Sequence, residues 1–98
     1  MVTSFAGVGA SYFSTYASYP IYGGFAPGDD RGYSYLLLCR VVVGDFTKGN
    51  GDTEVPPLKP FSSVRFDSTV NDIKNPKLFA IFADNAAYPE YIIKYRLA

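Results

Sequence analysis

The chain has 98 residues, of which 48% are hydrophobic and 18% charged, a composition typical of one globular domain. Nine basic residues balance nine acidic ones, so charge gives no argument for a nucleic-acid or membrane-surface partner. The chain contains no histidine, which excludes Ser-His-Asp triads and His-ligated zinc sites within these residues.

The cysteine content and the amino terminus bear on localisation. Cys39 is the only cysteine, so no disulfide can form within the chain. It lies in an apolar run and reads as a buried strand residue rather than a reactive thiol. A single cysteine, and residues 1–6 without a signal-peptide pattern, predict an intracellular protein of the nucleus or cytoplasm. The longest apolar run, residues 36–43, contains Arg40 and is too short to cross a bilayer.

A short strand and a short helix are predicted near the amino terminus. Small residues lead into an aromatic pair at positions 8–13, which favours a strand. Ser14 can cap a helix of one or two turns, which Pro20 would end after position 19. Three tyrosines fall at the spacing of one helix face: Tyr12, Tyr16 and Tyr19. On spacing alone, such a stripe is more often core packing than a ligand site.

The middle of the chain contains the strongest strand signal. Residues 23–32 have the composition of a loop, and residues 33–43 form a continuous apolar run typical of a strand covered on both faces. Residues 44–60 are predicted to be mostly loop, with a turn at Asn50-Gly51. Residues 64–66 are predicted to be a short extended piece, and residues 66–72 a structured turn.

Two further strands are predicted at about residues 78–83 and 90–97. Two apolar runs flank a polar connection that contains Pro89, which we interpret as a β-hairpin with at least one buried strand. The whole pattern is rich in strands and poor in helix, which indicates an α+β or mostly-β domain.

Five stretches, in order along the chain, resemble the catalytic domain of the poly(ADP-ribose) polymerases (PARPs), in its mono-ADP-ribosylating branch. Residues 9–14 resemble the family's Gly-Lys-Gly-x-Tyr-Phe-Ala, and residues 38–50 resemble its RVLxGDYTxGN segment. Pro56-Pro57 follows at a fitting distance, residues 66–72 resemble YDSxVDx, and residues 75–95 resemble the terminal strands. The resemblance implies an α+β ADP-ribosyltransferase fold, with antiparallel and mixed strands and one short helix, of which residues 1–98 would be the carboxy-terminal portion.

The resemblance also implies a chemistry and a set of site residues. In the family, the nicotinamide–ribose bond of NAD is cleaved and ADP-ribose passes to an acceptor protein, without a metal. Tyr12 corresponds to the tyrosine of the family's His-Tyr-Glu triad, which packs against nicotinamide. Leu78 occupies the position of the glutamate, which polymerising members need for chain elongation. The resemblance places further aromatic residues around the nicotinamide: Phe13, Tyr19 and Tyr22, with Phe25 as the alternative to Tyr22.

Three departures from the family pattern leave other functions open. The triad histidine is absent and is expected upstream of residue 1. Ala10 replaces a glycine, and Pro20 stands where many members carry a serine that binds the nicotinamide carboxamide. An inactive PARP-like binding or scaffold module is therefore one alternative. An unrelated all-β peptide-binding domain is another, and it would lack pairing between residues 36–43 and the terminal strands. A sheet without its upstream strands would have unpaired edges, so we expect the chain alone to be poorly soluble or to self-associate.

Overall fold

A computed structural model of the chain describes residues 1–3, 6–7, 10–22, 28–50 and 55–96. Within these ranges the chain forms eight strands, one α-helix and one 3₁₀ turn at Asp84–Ala86. In chain order the elements are β1 (Val2–Thr3), β2 (Ala6–Gly7), β3 (Ala10–Ser14), α1 (Ser18–Tyr22), β4 (Ser34–Val41), β5 (Phe46–Lys48), β6 (Ser68–Val70), β7 (Leu78–Ile81) and β8 (Ala87–Tyr95).

The described strands join into one eight-stranded mixed sheet. Its order is β5-β6-β7-β3-β1-β4-β8, with β2 paired to β3 off this path. The β5–β6 pair is parallel and the other pairs are antiparallel. This strand-rich α+β architecture confirms the fold class that the sequence predicts. No helix in the described ranges has the length and apolar character that crossing a bilayer requires.

A hydrophobic cluster lies on the sheet face that carries Phe13, and β3, β7 and β4 contribute to it. Phe13, Cys39 and Ile81 are buried there, and Phe79 and Leu37 pack against them. Successive residues of a strand point to opposite faces, so these alternate positions share the core. Burial raises the pKa of the Cys39 thiol, in agreement with a buried strand residue rather than a reactive thiol.

The helix lies later in the chain than the tyrosine spacing predicts. Tyr12 belongs to β3, so Tyr12, Tyr16 and Tyr19 do not form one helix face. Pro20 lies inside α1 and does not end it, because the first turn of a helix has no internal acceptor for its N–H groups. The Ser14 hydroxyl accepts the Tyr16 N–H at 3.0 Å, which makes a local turn and not a helix cap.

The strongest predicted strand is present and is buried in part on both faces. β4 runs from Ser34 to Val41, close to the predicted bounds. Leu36 is buried on one face and Cys39 on the other, because residues three apart in a strand point to opposite sides. Tyr35 and Arg40 are exposed, so neither face of β4 is covered along its whole length.

The two carboxy-terminal strands form near their predicted positions but do not make a hairpin. β7 lies between β6 and β3, whereas β8 pairs with β4, so β3, β1 and β4 separate them. The apolar pattern predicted both strands and could not show that each pairs elsewhere. The β4–β8 ladder is nevertheless the pairing that an unrelated peptide-binding domain was expected to lack.

Two short strands lie where a loop and a turn were predicted. β5 occupies part of the predicted loop at 44–60, and β6 replaces the predicted turn at 66–72. Ser68 and Thr69 of β6 are buried despite being polar, which hides the strand from a search for apolar patterns. The Ser68 hydroxyl is satisfied because it donates to the Val43 carbonyl at 2.9 Å. The predicted turn at Asn50-Gly51 includes residues outside the described ranges.

Candidate functional site

A cavity of about 220 Å³ lies on the sheet face that carries Tyr12 and Leu78, opposite the cluster of Phe13, Cys39 and Ile81. The strands β3, β6 and β7 supply most of its wall, and α1 contributes one aromatic residue. The lining residues are Tyr12, Tyr19, Gly49, Asn50, Thr69, Val70, Asn71, Leu78, Phe79 and Ala80.

The pairing of β3 with β7 explains why Tyr12 lines the cavity and Phe13 does not. Tyr12 is paired with Ala80, and Ser14 with Leu78. Paired residues share a face, so Tyr12, Ala80 and Leu78 lie on the cavity side while Phe13 points into the core. Because Ala80 has only a methyl side chain, it leaves room beside the Tyr12 ring.

Hydrogen bonds on both sides fix the position of Leu78 at the start of β7. The Asn71 side-chain oxygen accepts the N–H groups of Lys77 at 3.0 Å and Leu78 at 3.1 Å. The Asn71 N–H donates to the Leu78 carbonyl at 3.2 Å, and the Thr15 N–H donates to the Lys77 carbonyl at 3.0 Å. The end of β6 and the end of β3 therefore both hold this part of the cavity wall.

A close backbone approach shapes another side of the cavity. The Gly49 N–H donates to the Val70 carbonyl at 3.0 Å, which continues the β5–β6 pairing. A Cβ atom at Gly49 would lie 2.5 Å from the Thr69 Cβ, closer than side-chain atoms approach in proteins. Only glycine fits here without displacing the buried Thr69.

The described lining contains no Asp, Glu, Lys or Arg. Its polar groups are the hydroxyls of Tyr12, Tyr19 and Thr69 and the amides of Asn50 and Asn71. Leu78 can neither accept a hydrogen bond through its side chain nor take a proton. Such a lining suits a flat, neutral aromatic ligand with hydrogen-bonding edges. Among the described residues, no group of three or more His, Cys, Asp or Glu side chains is placed to hold a metal ion.

The structure brings three of the predicted site residues together and leaves others elsewhere. Tyr12, Tyr19 and Leu78 line the same cavity although they come from β3, α1 and β7. Phe13 lies in the core, with 3% of its surface exposed. Tyr22 is the last residue of α1, but its side chain lies outside the described part of the structure, as does all of Phe25.

Four residues of the cavity are not among the predicted site residues: Gly49, Asn50, Thr69 and Asn71. All four fall within the stretches at 38–50 and 66–72 that carry the family resemblance. The signal was therefore present, but no catalytic residue type marked these positions as part of a site.

Comparison with known proteins decides the family. No family model matches the sequence. Human "Protein mono-ADP-ribosyltransferase PARP12" is 37% identical over 86 residues, which cover 87% of this chain and 12% of that protein. The chain belongs to the PARP catalytic domain family.

Two further comparisons extend this assignment. The "Probable inactive poly(ADP-ribose) polymerase SRO2" of Arabidopsis thaliana is 36% identical over 73 residues, covering 69% of this chain and 21% of that protein. The crystal structure of the PARP domain of Arabidopsis RADICAL-INDUCED CELL DEATH1 shares the fold, with a TM-score of 0.60 at 24% identity. That match covers 94% of this chain and 55% of the other. The chain thus spans about a fifth or less of the curated relatives' length.

Proposed function

We propose that this chain forms the nicotinamide-binding end of a protein mono-ADP-ribosyltransferase, with NAD as donor substrate and a protein side chain as acceptor. The observation that carries the proposal is the meeting of Tyr12, Tyr19 and Leu78 in one cavity. The name of the human PARP12 relative supports the reaction type. In this proposal residues 1–98 are the carboxy-terminal portion of the catalytic domain, in an intracellular protein.

The size of the cavity limits which part of NAD it holds. Pockets that enclose a drug-sized ligand span roughly 300–1,000 Å³. At about 220 Å³ the cavity is smaller, so it suits one end of a dinucleotide rather than the whole molecule. The Tyr12 and Tyr19 rings offer aromatic surfaces for the nicotinamide ring, and the absence of a charged side chain from the described lining suits this neutral leaving group once its bond to ribose has broken.

Leu78 restricts the reaction to a single transfer. A carboxylate at this position would accept a ribose hydroxyl, stabilise positive charge at the reacting carbon and activate an incoming hydroxyl. Leucine does none of these, so a second ADP-ribose unit is not added to the first. Hydrogen bonds from Asn71 and Thr15 hold the backbone on both sides of Leu78, so the leucine side chain keeps its place in the cavity wall.

Binding of NAD to the 98-residue chain tests the proposal. A ligand that binds the native state at ten times its Kd stabilises it by about 1.4 kcal/mol. We expect NAD and nicotinamide each to raise the unfolding midpoint of the chain, and Tyr12→Ala to abolish the rise. Tyr88→Ala is the matched control, because it removes a tyrosine that is 69% exposed on β8. A chain that binds neither ligand would contradict the proposal.

An inactive binding module is the second candidate, and three observations favour it. No histidine is present, Ala10 stands in place of the family glycine, and Pro20 offers neither a hydroxyl nor an N–H to a carboxamide. The name of the Arabidopsis relative SRO2 points in the same direction. Incubation with labelled NAD separates the candidates: single ADP-ribose units on protein indicate a transferase, whereas neither transfer nor NAD binding indicates the inactive module.

A further inference from the structure

A short hairpin between β5 and β6 exposes apolar side chains to solvent. Leu58 and Arg65 form an isolated antiparallel bridge, and the Lys59 N–H donates to the Val64 carbonyl at 2.8 Å. These contacts define the 58–65 hairpin. Four large apolar side chains on it or beside it are exposed: Val55, Leu58, Phe61 and Val64. The hairpin therefore presents apolar surface to whatever lies outside the chain.

Phe61 lies at the tip of the 58–65 hairpin in a conformation that favours glycine. Its φ is 55°, in the left-handed region, where a bulky residue is an outlier. Pro60 precedes it, and the Ser62 N–H donates to the Lys59 carbonyl at 3.2 Å, which is the pattern of a type II turn with glycine usual at its third position. The Phe61 ring is fully exposed, so packing within the described structure does not explain a phenylalanine here. Backbone strain of this kind indicates a function for the side chain.

The base of the hairpin carries cations. Residues 55–66 contain Lys59 and Arg65 but no Asp or Glu, although the whole chain is neutral. The Lys59 Nζ lies 2.7 Å from Asp45 Oδ2, so this charge is partly neutralised. Arg65 is exposed, and its Nη1 donates to the Pro56 carbonyl at 2.7 Å, which leaves other guanidinium N–H groups for a further acceptor. Phosphate oxygens suit the fork of a guanidinium.

We propose that the 58–65 hairpin docks this protein on an anionic phospholipid membrane, with the Phe61 ring inserted among the lipids and the Arg65 guanidinium on the headgroup phosphates. The dimensions of the hairpin fit this role. Three residues of extended chain separate the Leu58–Arg65 pair from the tip, about 10 Å at about 3.3 Å per residue. Apolar groups of interfacial segments reach about 5–10 Å into the boundary between headgroups and acyl chains. Phe61 therefore reaches the acyl chains when Arg65 is level with the phosphates.

The shape of the hairpin favours a lipid surface over a protein surface. Only four exposed apolar side chains belong to it, whereas a stable protein interface uses about 20–30 residues from each partner. A fluid bilayer closes around a projecting ring without a preformed pocket. Binding through one ring and one guanidinium is weak and reversible, since even a single myristoyl chain binds marginally. The hairpin supplies no residue to the cavity of Tyr12 and Leu78, so the proposal stands independently of the proposed function.

Fluorescence of a single tryptophan at the tip tests the insertion. The chain contains no tryptophan, so Phe61→Trp introduces one reporter. With phosphatidylcholine vesicles in which about a third of the lipid is phosphatidylserine, we expect its emission to move to shorter wavelength and brominated acyl chains to quench it. Ile73→Trp is the matched control, because it puts the same reporter at an exposed residue outside the hairpin and the sheet.

Two outcomes of this measurement would overturn the proposal. Unchanged emission from Phe61→Trp would leave the exposed tip to a protein partner. Equal shifts in Phe61→Trp and Ile73→Trp would show adsorption of the whole chain rather than insertion of the tip.

Vesicle sedimentation of Phe61→Gly separates the role of the ring from folding. Glycine accepts a positive φ without strain, so the urea midpoint should hold or rise. The partition of the chain onto the same mixed vesicles should fall by at least about tenfold, because the inserted ring is lost. Partition equal to that of the parent chain would contradict insertion of Phe61.

Neutralising the base of the hairpin tests the headgroup contact. Arg65→Gln should weaken binding to the mixed vesicles by about fivefold, with a smaller change on phosphatidylcholine alone, which carries no net charge. Arg96→Gln is the matched control, since that guanidinium is also exposed and also donates to a backbone carbonyl, that of Arg31 at 3.3 Å. Equal losses in the two variants would overturn the assignment of Arg65 to the phosphates.

Discussion

The two halves of the sheet differ in how their strands are held. In the half that lines the cavity, β3, β5, β6 and β7 have five residues or fewer, yet β6 and β7 each have a strand on both sides. In the outer half, β4 and β8 form the longest ladder, and β8 is exposed along most of its length. The cavity therefore lies among short strands that are buried and held by side-chain hydrogen bonds, and not along the longest ladder.

Removing a core aromatic residue is expected to give the largest effect. Phe13→Ala should lower the free energy of unfolding by about 3–5 kcal/mol, because it empties the cluster that Cys39 and Ile81 complete. Ile92→Ala in the outer half should change it by less than about 0.5 kcal/mol, since this side chain is 70% exposed. Urea unfolding at a concentration where the chain is monomeric measures both. Equal losses of unfolding free energy in Phe13→Ala and Ile92→Ala would contradict the difference in burial between the two halves of the sheet.

Adding one methyl group beside the cavity is expected to give the next largest effect. Gly49→Ala should destabilise the chain by about 1–3 kcal/mol, because the new Cβ meets the buried Thr69. Gly28→Ala is the control, since its Cβ would approach other atoms no closer than 3.4 Å. Urea unfolding measures the free energy of unfolding of both variants. Equal values for Gly49→Ala and Gly28→Ala would contradict a close contact between the Gly49 backbone and the Thr69 side chain.

Removing the Asn71 side chain, which holds the start of β7, should lower the stability less than the two changes above but should weaken ligand binding. Asn71→Ala removes the acceptor of the Lys77 and Leu78 N–H groups, which should lower the free energy of unfolding by about 1 kcal/mol. If the proposed function is correct, NAD binding should weaken as well. Asn85→Ala, at an exposed position in the 3₁₀ turn, should change neither unfolding nor calorimetric NAD titrations. Unchanged NAD affinity in Asn71→Ala would show that the hydrogen bonds from Asn71 to the start of β7 do not contribute to NAD binding.

The smallest effect concerns the loop that leads into the outer half. The N–H of Tyr33 and, to a smaller extent, that of Arg31 donate to the Asp29 carboxylate and hold its pKa below the ordinary value of 3.8, against an opposing contribution from burial. The Tyr35 hydroxyl donates to it as well, at 3.2 Å. A lowered pKa in the folded state adds stability above pH 3.8, and that stability is lost as the pH falls through the lowered value.

Asp29→Asn should therefore be less stable than the parent chain at pH 7, and the difference should shrink at a pH of about 2. Urea midpoints at the two pH values measure the change. Asp30→Asn removes the same charge one residue along and is the control. A difference between Asp29→Asn and the parent chain that is the same at both pH values would show that the carboxylate hydrogen bonds do not set the stability of this loop.

The sequence predicted the strands that carry an apolar pattern and the family motifs, but not how the strands pair. β4, β7 and β8 were predicted close to their bounds because their side chains alternate or run continuously apolar. β6 was not predicted, because the burial of Ser68 depends on the Val43 carbonyl, which lies 25 positions earlier in the chain. The hairpin prediction was wrong because adjacency in sequence does not reveal that β7 finds partners in β3 and β6.

Only those residues of the candidate site that fall in family motifs with a known role could be predicted from the sequence. The resemblance named Tyr12, Tyr19 and Leu78, and the fold places all three on one cavity. The same resemblance named Phe13, but strand alternation turns that residue into the core. Asn71 and Gly49 shape the cavity through contacts with the backbone and side chains of neighbouring strands. These contacts exist only after β5, β6 and β7 have come together, so the sequence could not predict them.

The position of Leu78 at the first residue of β7 has a consequence for how this protein can evolve. The residues that follow it, Phe79 and Ile81, carry the packing of the core, while Leu78 faces the cavity and its backbone is held by Asn71. A substitution at this position can therefore alter what the cavity does while folding stays intact. Selection can act on the cavity there, one mutation at a time, without first having to rescue a destabilised sheet.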